Sequence, residues 1–263
     1  RQAFTVHMPG RADPDWHALA IVGVRVLVAT RHDRKLKRGA HRGNRFRIRL
    51  RDVHGEHAAV EAKLAAIHAQ GVPNYFGEQR FGRDGGNLAL AEALFAGKRM
   101  PRVQRGFALS AARSELFNAV LATRVSDASW DRALDGEVFM LDGSHAIFGP
   151  EPSDDGLAQR LAALDIHPTG PLWGGGELRV TSAVRELEKV TVAGHASLAH
   201  GLERNGLVQE RRALRLRVGD LVHRWETGDR LLLDFHLGAG AFATTVLREV
   251  CDWHADGSPV HQS

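Results

Sequence analysis

Hydrophobic and polar positions alternate most cleanly over residues 45–51. Phe46, Ile48 and Leu50 fall on one side of a period-two repeat, and Arg45, Arg47, Arg49 and Arg51 fall on the other. Successive side chains of a strand point to opposite faces, so this segment predicts a half-buried strand with four guanidinium groups on one face. The alternation returns near the end of the chain, at Leu214, Leu216 and Val218 and again at Leu231, Leu233, Phe235 and Leu237. Residues 21–29 (IVGVRVLVA) are rich in β-branched side chains and predict a mostly buried strand.

Between these ends helical spacing dominates. Val60, Leu64 and Ile67 recur at intervals of three and four within 56–70, and Gly71 followed by Pro73 terminates that helix. A longer helix is predicted at 110–125, with Leu116, Phe117, Val120 and Leu121 as its apolar stripe, and shorter ones at 88–95, 153–164, 184–192, 196–205 and 242–250. Residues 137–141 and 145–148 predict short strands about Gly143. Residues 74–88 and the Pro/Gly-rich 166–176 (IHPTGPLWGGG) predict loops, and 35–44 a basic hairpin or loop. The whole reads as an α/β (α+β) chain: a sheet-based domain made of residues 1–100 and 217–263, interrupted by an insertion at 101–216.

Composition narrows the class. The chain of 263 residues is 43% hydrophobic and 25% charged, which supports a sizeable core and excludes wholesale disorder. No apolar run approaches the ~18 residues of a membrane span, and no basic-then-apolar leader opens the sequence, so a cytoplasmic protein is expected. The single cysteine, Cys251, excludes an internal disulfide framework and a multi-cysteine zinc site. Among the histidines, His54 and His57 lack a third carboxylate ligand, His254 and His261 lie in the tail, and no HExxH occurs, so metal catalysis is not expected.

Charge changes the picture more. The net charge is +4, yet residues 31–51 hold ten Lys/Arg against Asp33 alone, a local +9 that leaves −5 for the rest. Such a concentrated strip predicts a polyanionic partner, with Arg31, Lys35, Lys37, Arg38 and Arg42 meeting its phosphates; the alternative is a solvated basic face.

Two motifs carry candidate chemistry. Residues 72–82 (VPNYFGEQRFG) crowd two aromatic rings, two glycines and the polar Asn74, Gln79 and Arg80 into one loop. Rings can stack on a nucleobase, an amide can read a uracil edge, and glycines admit close backbone approach. The alternative is a loop whose aromatics plug the core while Arg80 binds carbonyls. Residues 238–249 (GAGAFATTVLRE) place a Gly-x-Gly at a helix start without the remainder of a dinucleotide or P-loop fingerprint, and with Phe242 at the mouth of the turn.

With these segments in view, the chain resembles the TruD family of tRNA pseudouridine synthases over nearly its whole length. The resemblance rests on four ordered blocks: RHDRKLKRGAHRGNRF (31–46), PNYFGEQRFG (73–82), FALSAARSELFN (107–118) and FATTVLRE (242–249). It implies a pseudouridine-synthase catalytic domain on a mixed, largely antiparallel sheet, carrying a family-specific inserted domain. It also implies isomerisation of a uridine in tRNA, usually position 13, to pseudouridine, without a cofactor; tRNA is the expected partner, with no membrane and no obligate protein partner expected. Asn74 matches the family's active-site asparagine, which contacts substrate and orients the catalytic aspartate. Phe242 matches a base-contacting phenylalanine, and Phe76 another active-site aromatic. The family's nucleophilic aspartate stands in a Gly-x-Lys-Asp stretch followed by Thr-x-Gln. Arg1-Gln2 aligns with the end of the latter, so the aspartate is expected just upstream of Arg1 and no catalytic residue within the numbering. The competing reading is a catalytically silent tRNA-binding module without the nucleophile.

Overall fold

The computed structural model describes residues 3–8, 10, 14–36, 41–152 and 154–252, so Lys37 and Arg38 of the basic strip, and His254 and His261, lie outside the described residues. The chain divides into two compact units, residues 1–42 and residues 43–263.

In the first unit the described residues hold one short 3-10 turn, Trp16–Ala18, capped by the Asp15 carboxylate, which accepts the His17 N–H at 3.0 Å. The strand expected at 21–29 is not there: no ladder forms, and Ile21, Val22, Val24, Leu27 and Val28 are exposed. Branched side chains favour a strand only when a neighbouring strand supplies hydrogen bonds and a packing surface, and none of the unit's described residues pairs with this segment. Arg31, Lys35 and Arg42 are exposed.

The second unit runs β1 (Gly43–Leu50), α1 (His57–Gln70), β2 (Val72–Pro73), α2 (Gly86–Phe95), α3 (Arg102–Ser126), β3 (Phe139–Leu141), β4 (Ile147–Phe148), α4 (Asp155–Ala162), β5 (Ile166–Leu172), α5 (Ser182–Ala193), α6 (Ala196–Arg204), β6 (Glu210–Ala213), β7 (Arg215–Leu216), β8 (Gly219–Glu226), β9 (Arg230–Gly238) and α7 (Ala243–Val250). β1, β9 and β8 form an antiparallel sheet with β9 in the middle. The alternation at 231–237 has its predicted effect: Leu231, Leu233, Phe235 and Leu237 are fully buried and share a core with Val60, Leu64 and Ile67 of α1 and Val246, Leu247 and Val250 of α7. Phe46 stacks on Phe235 across the ladder at 5.5 Å. On β1 the arginines point outward, but not simply into water. Arg45 and Arg47 bracket the Asp234 carboxylate at 2.6 and 2.9 Å, and Arg49 meets Glu226 at 2.7 Å. Part of the basic strip is thus neutralised within the sheet itself.

α1 ends on Gly71 at φ 75°, where a Cβ would sit 2.5 Å from the Leu216 carbonyl. Only glycine lets the chain turn there and pair β2 with β7.

The helix-rich remainder is built on a four-stranded antiparallel sheet ordered β4-β3-β5-β6. Here a second expectation is corrected. Residues 166–172 are not loop but β5, flanked by β3 and β6 and almost wholly buried. Two prolines hide the strand because each removes a ladder donor. The structure tolerates them: the Pro168 carbonyl accepts the Leu214 N–H at 2.8 Å, and the Thr169 hydroxyl donates to the Val138 carbonyl at 2.5 Å. α3 starts at Arg102 rather than 110, and its small residues Ala108 and Ala112 join Ala91 of α2 and Leu198, Ala199 and Leu202 of α6 in a second core. A third, smaller cluster of Phe76, Phe117, Leu121 and Leu214 links the loop after β2 to α3 and the strand region at β6. Among the described residues, no helix is long and apolar enough to cross a membrane.

Candidate active site

The loop that follows β2 is fixed from three sides. Its Asn74 N–H donates to the Leu214 carbonyl at 2.7 Å. That carbonyl is free for the purpose because its strand neighbour Pro168 has no N–H to return. The Asn74 side chain, 7% exposed, donates from Nδ2 to the Ala213 carbonyl at 2.8 Å and accepts from Nη2 of Arg212 at 2.8 Å. Asn118 of α3 then clamps Phe76 by its backbone, accepting its N–H at 2.9 Å and donating to its carbonyl at 3.0 Å. Arg80 ties the far end of the loop to the Ser110 hydroxyl at 2.8 Å.

The third side is α7. The Thr245 hydroxyl reaches the Tyr75 carbonyl at 3.4 Å, Arg248 pairs with Glu78 at 2.7 Å, and a Cβ on Gly77 would lie 3.5 Å from the Thr244 hydroxyl. Phe242 is the N-cap residue of this helix and half-buried, yet it belongs to none of the hydrophobic clusters among the described residues. The loop of Asn74 and the turn of Phe242, 168 residues apart in sequence, are therefore brought together by packed elements.

Phe76 is a different kind of aromatic. Its ring is 7% exposed, meets Phe117 edge-on at 5.4 Å, and lies under two guanidinium groups, Arg212 at 4.2 Å and Arg80 at 5.0 Å from its centroid. It serves as a platform for the arginines rather than as an open stacking face. Burial, helped by the nearby charge of Arg80, pushes the Arg212 guanidinium down to about 10. The Nε atoms of Arg80 and Arg212 are both shielded from solvent and have no hydrogen-bond partner. No acidic side chain among the described residues pairs with Asn74, Arg80 or Arg212.

Arg212, Ser110 and Asn118 were not singled out from the sequence as site residues. Ser110 and Asn118 lie inside the block at 107–118, which helped define the family resemblance. Arg212 is hidden among Arg211, Arg215 and Arg217, and only the strand's facing separates them. Of the strip residues, Arg31, Lys35 and Arg42 are exposed in the first unit.

Comparison with known proteins fits this geometry. The family model for tRNA pseudouridine synthase D (TruD) matches residues 1–98 and 90–250. A tRNA pseudouridine synthase D of Xanthomonas campestris pv. campestris is 51% identical over 264 aligned positions, covering 95% of this chain and 72% of that protein. That of Methylococcus capsulatus is 50% identical over 260, covering 98% and 73%. The crystal structure of a putative tRNA pseudouridine synthase D from Methanosarcina mazei shares the fold, with a TM-score of 0.60 at 20% identity, over 82% of this chain and 70% of that one. The match thus takes in every segment that builds the loop, the α7 turn and the two sheets behind them, and the chain belongs to the TruD family, a family of RNA-modifying isomerases.

Proposed function

We propose that this protein converts a uridine of tRNA, at position 13, into pseudouridine. The target base is everted into a pocket at the loop of Asn74 and Phe76 and the start of α7. Asn74 reads its polar edge, Phe242 offers the ring face, and Phe76 forms the floor beneath the arginines. The carboxylate that acts on the sugar is an aspartate ahead of Arg1. It either attacks C1′ or removes the 2′ proton. The observation that carries this reading is the clamped Asn74 on a loop packed against the helix that Phe242 caps, in a chain half identical to named tRNA pseudouridine synthases.

Everting a base costs a few kcal/mol, so RNA binding has to offset it. The exposed Arg31, Lys35 and Arg42, with Lys37 and Arg38, supply phosphate contacts for that purpose. Residues 101–216 are read as the family's insertion. In support, one core draws on residues 60–72 and 218–250 and another on residues 91–202. α2 packs with the second, so the packing boundary falls ahead of residue 101.

Tritium release from tRNA carrying 5-labelled uridine tests the reaction. The full-length protein is expected to release label from unmodified tRNA and to leave a variant lacking the target uridine untouched. No release would overturn the reading in favour of a binding module.

A further inference from the structure

Arg80 and Arg212 stand over one ring with no counter-ion among the described residues. Each keeps an Nε–H out of water without an acceptor. The arginines whose whole side chains are buried are matched. Arg124 meets Glu137 and the Ser129 and Arg132 carbonyls, Arg211 meets Glu188 through two nitrogens, and Arg215 meets His167 and the carbonyls of Leu161 and Ile166. Leaving buried donors and a like-charged pair uncompensated is costly, and proteins keep such arrangements where a ligand completes them.

We propose that the ligand completing this pair is the uracil ring at the moment it leaves the ribose: Arg80 and Arg212 hold the detached base as an anion. This rests on the reaction proposed above. When the N1–C1′ bond breaks, its electron pair stays on N1 and the charge spreads to O2 and O4. Both routes for the aspartate, addition to C1′ or removal of the 2′ proton, release the same uracil anion. The ring turns and C5 uses its electron pair to bond C1′, while the C1′–aspartate bond breaks or, on the other route, the aspartate returns the 2′ proton; the C5 proton departs and N1 takes up a proton, so the product is an isomer of the substrate and the carboxylate is regenerated. Guanidinium N–H groups match the ring's carbonyl oxygens. Because the charge exists only once cleavage is under way, the pair favours the transition state over the bound substrate. The same contacts retain the ring while it turns. A backbone phosphate is the other anion in the substrate. The base is favoured because Arg212 is bonded to the amide that reads the base.

The test is single-turnover tritium release at saturating full-length enzyme. Arg80→Gln and Arg212→Gln are each expected to slow release about 100-fold while tRNA affinity and its salt dependence stay within about twofold. Placing 5-fluorouridine at the target, whose ring is the more stable anion, should shrink the variants' defect in consuming the starting nucleoside to about 10-fold or less. An equal defect on both nucleosides overturns the proposal. So does an unchanged rate with a shallower salt slope, which assigns the pair to a phosphate. If Arg212→Gln does not fold, Arg80→Gln decides, since among the described residues that guanidinium bonds only Ser110. Release by the wild type with unaffected variants overturns the pair alone. No release by the wild type overturns the reaction and the pair together.

Discussion

Arg211 and Arg212 are neighbours on β6 and face opposite ways. Arg211 points into the helix-covered side, where Glu188 receives two of its nitrogens at 2.9 and 2.7 Å and the Thr169 hydroxyl and carbonyl take up the rest. Arg212 points toward the loop after β2, where it finds one amide oxygen and an aromatic face. One strand therefore carries a guanidinium with an acceptor for each of its nitrogens on one side and one with an unmatched Nε on the other. The lesson is that burial alone does not separate a structural arginine from a functional one. What separates them is whether the protein itself supplies every acceptor.

That contrast can be broken in order of expected size. Arg211→Ala strands the Glu188 carboxylate, which is 0% exposed, and should lower unfolding free energy by about 3–5 kcal/mol in urea titrations. Arg212→Met removes no ion pair. It should change stability by no more than about 1 kcal/mol, with the loss of one hydrogen bond and two cation–π contacts offset by relief from burying a charge. If the two substitutions destabilise equally, the two faces are not different in kind. A smaller effect tests the exposed strip: neutralising Arg31, Lys35 and Lys37 should weaken tRNA binding and flatten its salt slope by about one unit per lost phosphate contact. The smallest concerns Asp234 on the outer sheet face. Hydrogen bonds from Arg45, and then Arg47, hold its carboxyl below the usual range. A lowered folded-state value adds stability above the unfolded value near pH 4 and loses it as pH falls through the folded one. Acid titration of stability should therefore be flatter below about pH 4 in Asp234→Asn than in the wild type.

The contrast also explains what the sequence could and could not tell. β1 and β9 were legible because period two is local and each buries one face. α1 was legible because its apolar positions and its glycine stop are local too. Residues 21–29 misled because strand-like residues do not make a strand without a partner, and partners are non-local. Residues 166–172 misled in reverse. Prolines argued against a ladder in which the N–H that Pro168 cannot give the Leu214 carbonyl comes from Asn74, a residue that no local reading connects to it. At the site, Asn74, Phe76 and Phe242 stood out through motif and resemblance. The partner that positions Asn74 did not, because Arg212 acquires its meaning only from the direction it faces.

That direction hangs on the register of β6 against β5. Shifting an antiparallel strand by one residue exchanges its faces, so a slip of β6 against β5 would aim Arg212 at Glu188 and Arg211 at the pocket. Pro168 accepts from Leu214, and Pro171 lies opposite Arg211. In the native register the carbonyl opposite the Pro168 ring nitrogen, that of Leu214, is satisfied from outside the ladder by the Asn74 N–H. The contact that fastens Asn74 to the sheet thus belongs to the same register that keeps the two arginines on their proper sides.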